Sequence, residues 1–167
     1  MIYNYTEATT RLDFLRIAYN AIQFRLGYIP DVLAQQGITG VSLAFSDIED
    51  VGYDQYYAAA LYCMGIIKGV GNDLYEPNRT ISRQEAAVML SRIHRYIMTS
   101  DASSYSYAGS LDVRYSDDES IADWAFYDVY NMRAIGVMQG TGDNRFDSHG
   151  VYTHEQSIIT FKRVLDY

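Results

Sequence analysis

Apolar residues recur at helical spacing in "YDQYYAAALYCM" (53–64), and Gly65 follows where a left-handed helix cap belongs. "WAFYDVYNMRAI" (124–135) and Gly136 repeat that arrangement. A second helical pattern begins behind Ser82 and runs through "AAVMLSRIHRYI"; its counterpart behind Thr153 runs through "SIITFKRVLDY". The pattern thus predicts helix, loop, helix, stated twice. The two hydrophobic residues after each Gly fit either a cap contact or a very short extended segment.

The repetition is one of residues as well as of pattern. "YEPNRTISRQEAAVMLSRIH" (75–94) and "FDSHGVYTHEQSIITFKRVL" (146–165) match without a gap, and upstream Tyr53 faces Trp124, Leu61 faces Met132, and Gly69 and Gly71 face Gly140 and Gly142. "FSDI" (45–48) answers "YSDD" (115–118) after a slip of one residue. A third copy, "YNYTEATTRLDFLRIAYNAI" (3–22), carries the second half of the unit alone: Tyr3, Thr10, Arg11 and Asp13 meet Tyr75, Ser82, Arg83 and Glu85. The expected organisation is a partial unit over 1–26, full units over 45–97 and 115–167, and linkers of turn and loop chemistry over 27–44 and 98–114. Units this small cannot bury an apolar face alone. The expected fold is therefore all-α, with the helix-loop-helix repeats packed on one another as one composite domain, most simply a pseudo-threefold bundle.

Each second helix opens on a capping box: Thr10 with Asp13, Ser82 with Glu85, Thr153 with Gln156. Glu85 is thereby assigned to capping. Arg11 and Arg83 stand at the first helical position, where a positive charge opposes the helix dipole by roughly 0.3–1 kcal/mol. Two readings stay open. The arginine is solvated or paired with a neighbouring carboxylate, or it holds an anion together with the free N–H groups of the helix start. Its recurrence in two copies supports the anion. Gly69-x-Gly71 and Gly140-x-Gly142 lack the strand, third glycine and immediate helix of a dinucleotide fingerprint. Turn geometry accounts for them and for the Asn/Asp pairs that follow; they can also flank the anion site by letting backbone approach a ligand. Tyr53 and Trp124 open the first helices, and core anchoring is preferred over stacking on a sugar ring.

Composition narrows the partners. A formal net charge of −8 speaks against nucleic acid, which needs a basic footprint, and against an anionic membrane surface. A local cationic pocket is compatible with that charge, because screening confines fields to about 8–10 Å. No apolar run approaches a membrane span. Cys63, the single cysteine, reads as a small buried hydrophobe. The 17 tyrosines supply apolar rings with polar tips, suited to packing and to sugars. His94, His149 and His154 show no metal spacing, and neither a catalytic triad nor a carboxylate pair can be placed, so no enzyme, metal or cofactor is expected. "MIYNYTEATT" carries no visible secretory signal.

Taken together, "FSDI", "GIIKGVGNDLYEPNRTISRQEAAVML", "YSD", Trp124, "GVMQGTGDNRF" and "TTRLD" resemble the S-layer homology (SLH) domain. That resemblance implies a pseudo-threefold helical assembly of three repeats. It also implies non-covalent binding, in grooves between repeats, of cell-wall polysaccharides linked to peptidoglycan, in many cases pyruvylated. It places such a chain at the bacterial cell surface as part of a larger protein, and it carries the acidic-sugar contact onto Arg83 and Arg11. His154 replaces the arginine in the last repeat, Tyr53 replaces the Trp, and Tyr5 and Ser148 stand in place of the proline. An SLH-like module for assembly or protein interaction, without glycan binding, is the alternative implied.

Overall fold

The computed structural model describes residues 5–38, 45–48, 53–102 and 113–167; Tyr3, residues 39–44 of the first expected linker and 103–112 of the second lie outside them. Among the described residues regular structure is helical: α1 (Arg11–Leu26), α2 (Ile29–Gln35), α3 (Asp54–Cys63), α4 (Arg83–Thr99), α5 (Asp123–Ala134) and α6 (His154–Leu165), with a short 3-10 turn at Asp118–Ser120. Extended backbone is confined to isolated bridges, such as Ala8 with Thr153 and Ser82 with Val151.

The helix ends follow local chemistry. Asp13 N–H donates to Thr10 Oγ1 (3.0 Å). Ser82 N–H donates to Glu85 Oε2 (2.9 Å) and Glu85 N–H returns to Ser82 Oγ (3.4 Å). Thr153 and Gln156 form the complete reciprocal box. Gly65 (φ 72°) and Gly136 (φ 73°) are left-handed caps, and the next N–H of each reaches back to Leu61 O and Met132 O (2.9 Å each). The first expected linker is not all loop. It contains α2, started by Pro30 in its first turn, where the missing N–H costs nothing.

The chain divides into two compact units that cut across the sequence repeats. One comprises residues 10–79 and 92–104. In it α1 packs on α2 and α3, burying Phe14, Leu15, Ala18 and Ile22 with Leu33, Leu61 and Tyr75, and the run Ala58–Ala60 lets α1 and α3 approach closely. The other comprises residues 1–9, 80–91 and 105–167; Ala86, Leu90, Val129, Met132, Phe146, Phe161 and Val164 form its core.

Each unit therefore joins the helix start of one repeat to the loop of another, always in the same register. Arg11 N–H donates to Arg79 O and Leu12 N–H to Pro77 O. Gln84 N–H donates to Ser148 O. His154 N–H donates to Glu7 O and Glu155 N–H to Tyr5 O. Otherwise orphaned N–H groups of three helix starts are satisfied by equivalent loop carbonyls, which is how a small repeat recruits its neighbour.

Candidate functional site

The first-turn arginines face inward. Arg11 Nε donates to Tyr75 O (2.7 Å) and Nη2 to Lys68 O (3.5 Å), with the guanidinium carbon 4.3 Å from the Tyr75 ring centre. Arg83 does the same one repeat later: Nε to Phe146 O (2.9 Å), Nη2 to Gln139 O (2.8 Å), and the guanidinium carbon 5.1 Å from the Phe146 ring centre. A longer bond runs from Arg83 Nη1 to Gln156 Oε1 (3.4 Å). Both arginines are only 4% exposed. Each guanidinium bridges the two arms of a Gly-x-Gly loop through carbonyl oxygens and lies over an aromatic face. Burial pushes the Arg83 guanidinium below its ordinary value, against the opposing influence of Tyr152 and Asp147.

The loops so held are tight turns. Asn72 and Asp73 (φ 50° and 56°) and Asp143 and Asn144 (φ 47° and 54°) are left-handed pairs closing short bridges from Gly71 to Leu74 and Gly142 to Arg145. Gly69 and Gly140 serve a different need. A Cβ on Gly69 would lie 2.5 Å from Leu74 O and 2.8 Å from the Phe45 ring; on Gly140, 2.5 Å from Arg145 O and 3.1 Å from the Tyr115 ring. The aromatic that opens each full repeat is pressed onto that bare backbone.

Asp47 and Asp117 were visible in the sequence only as part of a recurring Ser-Asp pair. Asp47 accepts Tyr75 N–H (2.8 Å) and Glu76 N–H (2.7 Å), and Asp117 accepts Phe146 N–H (2.8 Å) and Asp147 N–H (2.9 Å). Glu76 and Asp147 have positive φ (58° and 60°), and the carboxylates hold these unfavourable bends. Burial works to raise the Asp117 pKa, but the N–H bonds from Phe146 and Asp147 outweigh it and hold the group below its ordinary value.

Beside the first of these loops lies an open cavity of 640 Å³, lined among others by Phe45, Tyr62, Ile67, Lys68, Gly69 and Asn72. Arg11 supports the Lys68 carbonyl and so props one wall of it. Arg11, Gly69 and Gly71 are thus gathered around one loop, and Arg83, Gly140 and Gly142 around its counterpart. His154 is half-buried at the start of α6. Tyr53 and Trp124 depart from the preferred expectation of core anchoring: they are 71% and 59% exposed. The Gln84 side chain accepts the N–H of Ala122 (3.0 Å), the residue capping α5, so Trp124 stands within a turn of that helix start. Tyr57, not Tyr53, enters the packing, stacked on Tyr19 with ring centres 3.9 Å apart. Cys63 also departs from expectation and is exposed at the end of α3. Among the described residues no group of His, Cys, Asp and Glu could hold a metal ion, and no helix is long and apolar enough to cross a membrane.

The chain is 29% identical over 122 residues to the exoglucanase XynX of Acetivibrio thermocellus, a match covering 73% of this chain and 11% of that protein. It is 29% identical over 122 residues to an amylopullulanase of Thermoanaerobacterium thermosulfurigenes (73% and 6%). It is 28% identical over 121 residues to an endoglucanase of Bacillus sp. (strain KSM-635) (72% and 12%). The matched segment is thus about a tenth of these relatives or less. The family model of the S-layer homology domain matches residues 44–87 and 114–147, each running from the opening aromatic-Ser-Asp stretch into or through the Gly-x-Gly loop. Over those two segments the chain is similar to S-layer homology repeats.

Proposed function

We propose that this chain is a non-catalytic anchoring module that holds a larger protein on the bacterial cell wall by binding an anionic wall polysaccharide. The observation that carries the reading is that one segment, bearing S-layer homology repeats, recurs in an exoglucanase, an amylopullulanase and an endoglucanase. Proteins with three different named activities share it, and it makes up 6–12% of each, which supports a role separate from catalysis.

In this reading each Gly-x-Gly loop is a place where the polymer is held. Gly69 and Gly71 present bare backbone at the 640 Å³ cavity, and Lys68 brings a cation to its rim. Arg11 fixes the first loop from behind and lends positive charge there; Arg83 does so for the second loop, where Gly140 and Gly142 present the same backbone surface. A buried cation such as Arg83, held by neutral oxygens of Phe146, Gln139 and Gln156, favours an anion nearby, because its charge is poorly screened there. The exposed faces of Tyr53 and Trp124 suit stacking on sugar rings, and His154 adds an imidazole at the third helix start. A pyruvyl ketal would supply the carboxylate.

The test is co-sedimentation of the 167-residue chain with purified cell walls, before and after mild acid removal of ketal-linked pyruvate. Retention should fall roughly tenfold or more in Lys68→Glu, consistent with about 1.5–3 kcal/mol for a charged hydrogen bond, and should fall in Arg83→Ala, which removes the prop behind the second loop. Unchanged retention in both variants would remove the proposed surface. The burial of Arg11 and Arg83 against carbonyls favours a second reading, in which the repeats serve assembly alone. That reading expects no retention on walls by the unaltered chain.

A further inference from the structure

The two full repeats bring a cation to equivalent cavities from different positions. At the first, Tyr62 and Cys63 on the last turn of α3 and Lys68 just beyond Gly65 all line the 640 Å³ cavity. Lys68 supplies the charge there, while Tyr62 stands edge-on to Phe45 with ring centres 5.6 Å apart. At the second, the equivalent residues are Arg133, Ala134 and Gln139. Lys68 has become the neutral Gln139, and Tyr62 has become the cation Arg133. Arg133 and Ala134 line a cavity of 220 Å³ together with Val113 and Tyr130. The exchange keeps one cation at each cavity. Helix-end electrostatics alone do not require it, since α3 has no basic residue in its last turn.

Arg133 has donors to spare. Its guanidinium carbon lies 4.5 Å from the centre of the Tyr115 ring, and Nη1 donates to Val113 O (2.9 Å). These contacts fix the plane of the fork and leave further N–H groups for a guest. Among the described residues Arg133 makes no ion pair, whereas Arg16, Arg79, Arg114 and Arg145 each make one. Asp118, the acid beside Tyr130, is taken by Arg114 and by the Tyr130 hydroxyl. The ring under Arg133 also carries a hydroxyl that Phe45 lacks, buried with no hydrogen-bond partner among the described residues.

We propose that Arg133 marks a separate anion subsite, in which the 220 Å³ cavity takes the carboxylate of one acidic sugar residue. The subsite extends the anchoring reading and rests on it for the acidic sugar. A guanidinium grips a carboxylate through two parallel N–H bonds, which a lysine at the loop cannot do. The cavity is smaller than the roughly 300–1,000 Å³ of drug-sized pockets, so it admits a single end group rather than a length of polymer. Val113 and the Tyr130 ring give it apolar walls. The two full repeats therefore read the same polymer differently, the first through Lys68 in a wide cavity and the second through Arg133 in a narrow one.

The experiment titrates the full 167-residue chain, labelled with nitrogen-15, with methyl glucuronide as the probe and methyl glucoside at matched salt as its neutral twin. Glucuronide should move the Arg133 Nε–H and Ala134 amide signals saturably, and glucoside should leave them in place. Arg133→Gln should weaken this binding roughly tenfold. The double variant Arg133→Tyr with Gln139→Lys installs the first repeat's arrangement and should restore most of it, which an arginine of merely structural use would not give. The subsite is overturned by an absence of Arg133 shifts up to about 50 mM glucuronide, by equal shifts from both sugars, or by a loss that the double variant does not restore. Shifts confined to Lys68 and its cavity would overturn it too, while leaving the anchoring reading in place. Charge-dependent shifts at Arg133 in a chain that does not sediment with cell walls would uphold the subsite and remove the anchoring reading.

Discussion

Asp117 shows how a single carboxylate can fix a turn. It takes two backbone N–H groups at a residue with positive φ, and these bonds hold its pKa below the ordinary carboxylate value despite burial. A group whose pKa is lower folded than unfolded stabilises the fold above its unfolded value, near 4, and loses that contribution as pH falls through the folded value. Urea denaturation of the whole chain should therefore show stability falling below about pH 4, with a shallower fall in Asp117→Asn, which should also cost about 1–3 kcal/mol at neutral pH. An unchanged acid slope in that variant would assign the acid loss elsewhere. Glycine requirements separate just as sharply. Gly140→Ala places a methyl 2.5 Å from Arg145 O, where nothing flexible can move away, while Gly27 has open space around its missing Cβ. Gly140→Ala should therefore lower the melting temperature more than Gly27→Ala, whose cost is limited to its backbone conformation (φ 98°, ψ −165°), about 1–3 kcal/mol.

Between helices, the side-chain pairs that join α1 to α3 and α4 to α5 decide which element seats where. Asp54 is buried and takes both prongs of the half-exposed Arg16, while the equivalent residues Val88 and Ala125 are apolar. Arg16→Val strands a buried carboxylate, whereas Asp54→Ala leaves an arginine that can turn to water. The first should cost about 2–3 kcal/mol and the second less. The double variant, which installs the other repeat's pair, should recover part of the loss; strict additivity in a double-mutant cycle would mean the pair is not a unit. Much at this scale was legible in sequence, because caps and left-handed glycines are set by local hydrogen bonding: Thr10, Ser82, Thr153, Gly65 and Gly136 all act as their patterns imply. The directions of Trp124, Cys63 and the two arginines were not. A periodic pattern ranks the faces of a helix against each other, but a neighbouring repeat decides which face is covered, and that neighbour is far away in sequence. Trp124 is exposed while Ala125, the less hydrophobic residue, takes the core position. The helix α2 was hidden by turn-forming residues around Pro30, which start a helix as readily as they end one.

At the scale of the molecule, the net charge of −8 and the proposed anionic ligand pull in opposite directions. A lectin that captures acidic polymers through a broad cationic surface associates faster at low salt, because its field reaches out to the ligand. Here the long-range field repels the polymer, and attraction is left to a few cations: Lys68 at a cavity rim, Arg11 and Arg83 behind their loops. Added salt screens the distant repulsion first, since the Debye length contracts from about 30 Å at 0.01 M to about 8 Å at 0.15 M, while contacts a few ångströms long are affected less. The association rate of the chain with immobilised wall polysaccharide should therefore rise, by roughly two- to fivefold, between those two salt concentrations, with dissociation changing little. Surface plasmon resonance over that range measures both rates. A fall in association rate with salt would mean that the polymer is met by a cationic surface these loops do not provide, and the binding face would have to be sought elsewhere on the chain.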